Sequence, residues 1–502
     1  MVNLTFFLFT PEDGCNRAQT LFTLFVQNLG QMEDLSTRYW GSFAICGLLC
    51  AVMLYMSRTT NKGSTASAEK NTRFSTFQTN YLFVFVLAMF SDWLQGPYVY
   101  ELYVSYGFNQ QEIAELFVCG FGSSMIVGTF VGGLADKLGR RAMCVIYCLC
   151  YIAACCTKLV PDYWTLMLGR FLSGVSTSLL FSVFESWMVC EHFKQGFDAS
   201  LLNDTFAYAT FGNGLGAVFA GLIANSAAEM YGFVAPFVVA ILPLSVVAFT
   251  VFTTWSENYG NQQLNMLSSL SKGFDLVRSD SRIAALGLGQ SCFEGAMYTF
   301  VFMWTPALKS VAETEAEAAG SAAAGQTTSS YLGLIFAVFM VCTMIGSSCF
   351  KLLSVRREML YKIPLYLHGT AFFAMVTITI FLEQKMIVYA MFLLFECTVG
   401  VFYPSYGVIK SEKIPEDIRS AVMNIFRIPL NAFVVLLLLK IKYLSSQTVF
   451  LICSIAHGMA FLCYWYFYSS SRTNDKLIEM SGVSQSQLES EQERLVSKDS
   501  SV

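Results

Sequence analysis

Six ionisable side chains interrupt otherwise apolar stretches of this 502-residue sequence: Asp92, Arg170, Glu185, Glu294, Glu396 and Arg427. A charge at the centre of a bilayer costs about 2.5–3.5 kcal/mol on insertion scales, so such groups face protein or a water-filled cavity. Each carboxylate has a plain reading as the structural partner of an arginine. With four acids and two arginines, pairing cannot satisfy them all. The remainder must be protonated or solvated, which is the chemistry of a proton relay. Arg170 and Arg427 are far apart in the chain. Brought together, two guanidiniums would suit a compact dianion through charge-assisted hydrogen bonds. Asn424, Gln95, Gln290, Tyr98 and Trp304 can add donors or wall such a site, although each also reads as packing.

Two local motifs carry mechanism. Gly132-Gly-Leu-Ala-Asp136-Lys-Leu-Gly139-Arg140-Arg141 joins two apolar segments. Its glycines, Gly133 and Gly139 among them, allow close helix approach and a tight turn. Asp136 can face a helix N-terminus or Arg140 and Arg141, and so latch one part of the molecule against another. The plainer reading is a basic turn. The second motif, Leu168-Gly-Arg170-Phe-Leu-Ser-Gly174, places Arg170 several residues into a span. There it either serves a cavity or snorkels to the interface. Irregular backbone is marked by Pro97, Gly400, Pro404 and Pro429, which either line a cavity or kink helices for packing.

Enzyme chemistry finds little support. His192, His368 and His457 are scattered, and no nucleophile–base constellation, metal-ligand spacing or phosphate loop is present. Most of the 16 cysteines sit in apolar runs, where they act as small hydrophobes, so neither disulfides nor a metal or other cofactor is expected.

The elements that must position these residues are membrane spans. Only 13% of residues are charged, about half the soluble norm, and 55% are hydrophobic. Such a chain needs lipid as part of its solvent. The net charge of −4 implies no nucleic-acid partner. A span needs about 20 apolar residues. The segments are 39–57, 77–101, 113–134, 142–160, 163–190, 203–224, 233–254, 282–305, 331–350, 362–382, 386–409, 419–440 and 447–469. The weakest is 203–224, which contains Asn203, Asp204 and Asn213. Lys and Arg collect in the 58–76, 135–141, 255–281, 351–362 and 410–419 loops and avoid the alternate ones. This places the N-terminus outside and the C-terminus in the cytoplasm. The polar stretch 255–281 divides the spans into six-helix halves, 77–254 and 282–469, with 39–57 as an extra N-terminal helix. That is an all-α transporter architecture. Residues 1–38 form an extracytoplasmic segment with a sequon at Asn3, 309–330 an external polar insertion, and 470–502 a disordered tail. The 491–496 stretch vaguely resembles an acidic-dileucine signal, but a solvated tail suits it better. No obligate protein partner is evident.

The 132–141 and 168–174 motifs resemble, in residues and in position, those of the major facilitator superfamily. Over about 77–470 the chain more narrowly resembles the molybdate-anion transporter family of that superfamily. The resemblance is carried by Ser91-Asp-Trp-Leu-Gln-Gly-Pro-Tyr-Val-Tyr100, Leu179-Leu-Phe-Ser-Val-Phe-Glu-Ser-Trp187, Trp255-Ser-Glu-Asn-Tyr259, Phe300-Val-Phe-Met-Trp-Thr-Pro306, Gly400-Val-Phe-Tyr-Pro-Ser405 and Asn424-Ile-Phe-Arg-Ile-Pro429. It implies uptake of molybdate, a tetrahedral dianion, across the cell membrane by alternating access. Arg170 and Arg427 would then bind the oxyanion, with Asn424, Gln95, Tyr98 and Trp304 around it. Asp92, Glu185, Glu294 or Glu396 would couple protons, and Asp136 would gate the cytoplasmic side. Alternatives left open are another small anion such as sulfate or an organic acid, and a non-transporting receptor on the same fold.

Overall fold

The computed structural model describes residues 35–60, 72–260, 266–318 and 328–481. The Asn3 sequon, Cys15, most of the 1–38 segment, residues 319–327 of the 309–330 insertion and the 491–496 signal lie outside these. The described chain is helical, as an apolar environment demands, because a helix satisfies its backbone hydrogen bonds internally. In order the helices are α1 (Leu35–Thr60), α2 (Thr72–Gln95), α3 (Val99–Ser105), α4 (Gln110–Leu138), α5 (Arg140–Thr157), α6 (Tyr163–Leu180), α7 (Val183–Lys194), α8 (Ala199–Tyr231), α9 (Ala235–Thr254) and α10 (Met266–Ser279). They continue as α11 (Ser281–Ala318), α12 (Leu332–Leu353), α13 (Arg357–Leu360), α14 (Ile363–Ile380), α15 (Lys385–Lys413), α16 (Glu416–Leu439) and α17 (Ser446–Ser481).

Twelve of the described helical stretches are long and apolar enough to cross a membrane. The thirteenth expected segment, 282–305, lies in α11, which packs against α16 and α17 within the bundle. Gln290, Ser291, Glu294 and Thr299 dilute its hydropathy. Two expected spans are broken helices. The turn at 96–98, with Pro97, separates α2 from α3, and residues 181–182 separate α6 from α7.

Local chemistry sets several of the helix starts. Asn109 and Glu112 form a reciprocal capping box on α4, and the Asp162 carboxylate accepts from Thr165 N at the start of α6. Within the N-terminal half, α4 and α5 pack on α6, α2 packs on α8 and α9, and α5 on α9. The C-terminal half repeats the scheme, with α12 on α15, α11 on α16, and α14 on α15 and α17. Between halves, α4 meets α16 and α8 meets α12. The amphipathic α10 of the central linker lies on α16 and α11, so it belongs with the C-terminal half. The extra helix α1 also packs there, on α12. Tyr39 contacts the rings of Tyr331 and Tyr389, and the Ser42 and Tyr389 hydroxyls are 2.8 Å apart.

The end of the bundle carrying the 135–141 and 255–260 connections is hereafter the basic end. Polar contacts join the halves at the opposite end. Lys309 Nζ on α11 pairs with Glu101 on α3 at 2.8 Å, and Ser329 donates to the same carboxylate at 2.9 Å. Gln111 on α4 touches Leu439 O and Lys442 N. At the α8–α12 crossing, Asn225 Oδ1 accepts from Tyr98 Oη and Leu334 N. Here Gly221 and Gly333 bring two backbones together. A side-chain carbon on Gly333 would lie 2.5 Å from Gly221 O. We therefore expect Gly333→Val to cost roughly 1–3 kcal/mol of packing strain and to lower both the melting temperature and the yield of monodisperse protein. Gly122→Ala on α4, where a side-chain carbon would meet nothing within 4 Å, should leave both unchanged.

Candidate functional site

Arg427 is set about 16 Å into α16 from its Glu416 start, at 1.5 Å per residue. With Asn424 and Ile428 it lines a cleft of about 250 Å³ against Met125, Ile126, Thr129 and Phe130 of α4. The cleft lies at the seam between the halves. Gly128 faces the guanidinium: a side-chain carbon there would stand at ordinary contact distance, 3.8 Å, from Arg427 Nη1 and more tightly, 3.3 Å, against Ser178 Oγ of α6. Glu294, Tyr298 and Tyr403 lie within electrostatic range of Arg427 from α11 and α15.

A short chain of donors extends this site towards the basic end. Lys410 Nζ donates to Gln290 Oε1 at 3.3 Å, and Gln290 Nε2 donates to Glu294 Oε1 at 3.1 Å. Glu294 thus stands between two cations, Arg427 and Lys410, without an ion pair to either at 4 Å or closer. Sequence reasoning missed Lys410, which it assigned to a cytoplasmic loop. It also missed Tyr298 and Tyr403. The available signal was the length of α15, whose helical phase continues through Lys413.

Arg170 does not meet Arg427. Its Nε donates to Leu116 O at 3.2 Å, its guanidinium lies 4.6 Å from the Phe117 ring centroid, and Nη2 would be 2.9 Å from a side-chain carbon on Gly120. Gly120 and Gly128 are eight residues apart on α4, so the two guanidiniums touch that helix at levels separated by about 12 Å. A single compact anion is not clamped by both in this conformation.

The other candidates are dispersed. Asp92 accepts a hydrogen bond from Tyr151, inside the N-terminal half. Glu185 is exposed near Tyr81. Glu396 is buried where α12 crosses α15 and accepts from Thr343 Oγ1 at 3.1 Å. Gln95 donates to Ser91 O of its own helix. Tyr98 is fully buried at the α8–α12 crossing, and Trp304 packs edge-on against Phe339. These three side chains are used up by packing and local hydrogen bonds, so they do not reach the cleft. Two of the supposedly scattered histidines converge instead: His368 and His457 both stand edge-on to Phe293 in the C-terminal core.

The 132–141 motif is tied to its own half. Asp136 pairs with Arg140 at 2.8 Å, and its carbonyl accepts from Gly260 N. Arg140 donates to Ser186 O. No latch from Asp136 to the C-terminal half is found among the described residues. Gly132 and Gly133 face open space, so they permit no close helix approach. Gly139 is required for its turn, with φ of +101° and the Glu257 carboxylate 2.6 Å from where a side-chain carbon would be. Glu257 accepts from Arg141 N at 2.8 Å and Ala142 N at 3.2 Å, capping α5 from the segment that follows α9. Trp187 and Trp255 stack at 3.6 Å beside it.

Residues 39–399 match a family model described as sugar transporters with 12 transmembrane helices. The molybdate-anion transporter of Xenopus tropicalis is 34% identical over 87% of this chain and 96% of its own length. That of Danio rerio is 33% identical over 81% and 87%. The chain belongs to the molybdate-anion transporter family. Its fold is that of the major facilitator superfamily. The nucleoside transporter NupG (a D323A mutant) aligns with a TM-score of 0.60 at 13% identity, over 78% of this chain and 98% of that one. The peptide transporter POT, in complex with sulfate, aligns with a TM-score of 0.60 at 14% identity, over 79% and 94%. The chain is therefore a multi-pass membrane protein of a transporter family, and its Trp255–Tyr259 stretch acquires a physical role through Glu257. Removing that cap should cost about 1 kcal/mol. We expect Glu257→Gln to lower the melting temperature and to increase protease nicking between α4 and α5.

Proposed function

We propose that this chain carries molybdate into the cell by secondary active transport, with the two halves rocking about the Arg427 cleft. The observation that carries the reading is Arg427 itself. It is a guanidinium at mid-depth, on the seam between the halves, with Asn424 beside it and no carboxylate in ion-pair contact among the described residues. An arginine so placed offers paired N–H donors to a tetrahedral oxyanion. The relatives named for molybdate supply the anion's identity. Arg170, nearer the opposite end, serves as a second station for the anion along α4.

The basic end faces the cytoplasm under the positive-inside rule, with the N-terminus outside and the plasma membrane as the site of action. The Glu101–Lys309 pair then closes the outer side. Among the candidate coupling acids, Glu294 is the one beside the cleft, and it carries the proton that accompanies the anion. Asp92, Glu185 and Glu396 stand further off. Asp136, Arg140, Arg141 and Gly139 gate the cytoplasmic side by bracing the N-terminal half as a rigid unit, and Gly133 takes no part in that bracing.

The test is molybdate uptake by purified protein in liposomes, followed by mass spectrometry, with sulfate as competitor and an imposed pH gradient. Arg427→Ala should reduce uptake at least tenfold while the protein stays folded. Wild-type uptake in that variant would remove Arg427 from the site. Glu294→Gln should weaken the response to the pH gradient, and an unaltered response would refute its coupling role. Lys309→Ala should open the outer side, read as faster thiol labelling of a cysteine placed at Ser329.

A further inference from the structure

Lys158 follows α5 by one residue, at the end of the bundle opposite the basic one. Its side chain is almost fully enclosed, at 2% exposure. Nζ donates to Tyr103 Oη at 2.8 Å and lies 5.2 Å from that ring centroid. A side-chain carbon on Gly169 would sit 3.4 Å from Nζ, so the residue next to Arg170 forms the floor of the niche. Tyr106 donates to the Lys158 carbonyl.

The groups facing this ammonium offer little compensation. Arg170 from α6 is a like charge, while Cys155 on α5 and Cys119 on α4 are thiols. The neighbouring carboxylates are engaged elsewhere. Asp92 is bonded to Tyr151, Glu115 accepts from Tyr163 and Gln111, and Glu101 is paired with Lys309. Neither Lys158 nor Arg170 forms an ion pair among the described residues. Two adjacent cations therefore share a poorly solvated corner with no carboxylate in ion-pair contact among the described residues. An enclosed lysine in that position gives up its proton readily.

We infer that Lys158 is a proton-linkage residue, gaining a proton when an oxyanion settles on Arg170 and releasing it when the anion leaves. The inference rests on the reading of Arg170 as an anion-binding cation. The step is a protonation alone: a solvent proton adds to the Lys158 amine to give the ammonium, and no other bond changes. Enclosure and the adjacent Arg170 charge disfavour the ammonium. A dianion on Arg170 reverses the local field and favours it, so over the pH window between those two conditions binding takes up a proton. Apparent affinity therefore falls as pH rises through that window, by at most about tenfold per pH unit, and is flat below it. The proton neutralises one charge of the dianion during transfer, so an acidic outer medium favours loading.

The experiment is calorimetric titration of the full-length protein in nanodiscs with sodium molybdate, at about pH 7.5 in buffers of different ionisation enthalpy, with a Kd–pH profile. Wild type should take up about half a proton or more per anion. Lys158→Arg keeps the charge but cannot titrate. It should bind with that share of uptake removed and with a flatter profile. Tyr103→Phe should shift the midpoint of the profile without abolishing binding. If Lys158→Arg retains wild-type uptake, the lysine is not the group. A wild-type Kd that is constant from about pH 6 to 9 overturns the inference without any variant. If Arg170→Gln binds molybdate as wild type does, the reading of Arg170 fails first. If Arg170→Gln abolishes binding while Lys158→Arg behaves as wild type, only the lysine assignment falls.

Discussion

Two guanidiniums held at membrane depth, with no carboxylate in ion-pair contact among the described residues, are the constraint around which this bundle is organised. An arginine cannot shed its proton to escape the cost of burial, so the protein has to supply water, hydrogen-bond acceptors or aromatic faces. Helix α4 runs past both. Gly120 yields to Arg170, and Gly128 faces Arg427 at ordinary contact distance. Phe117 gives Arg170 an aromatic face and Leu116 a carbonyl. The breaks at 96–98 and 181–182 interrupt two helices of the same half.

The spans were legible because hydropathy is a local property. Twelve of the thirteen expected spans follow from runs of residues that no tertiary contact needs to explain. The weakest expected segment, 203–224, is a helix eleven residues longer, in which Asn213 accepts from the Trp93 indole. A polar group such as Asn213 weakens a span only while its partner is unknown.

The site was legible in its residue types and illegible in its convergence. Arg427 and Asn424 do share a cleft, as two residues three apart on one helix face should. Which residues of other helices join them depends on the rotation of each helix about its own axis, and packing fixes that. Glu294 and Lys410 are brought together through Gln290, whereas Glu396 is turned into the α12–α15 crossing. Glycines in the 132–141 motif divided in the same way. The positive φ of Gly139 reflects a turn that sequence can announce, but the empty surroundings of Gly133 can be seen only in three dimensions.

Helix α1 precedes the N-terminal half in the chain yet is packed against the C-terminal half, through Tyr39, Ser42 and their contacts with Tyr331 and Tyr389. It is therefore cargo of one moving body while leashed to the other. Any rotation between the halves changes the distance that the 61–71 connection must bridge. A leash that is too short would stall the cycle mechanically, and one that is long enough makes α1 a passenger. The stroke of this transporter is thus bounded by covalent reach as well as by the packing at its centre.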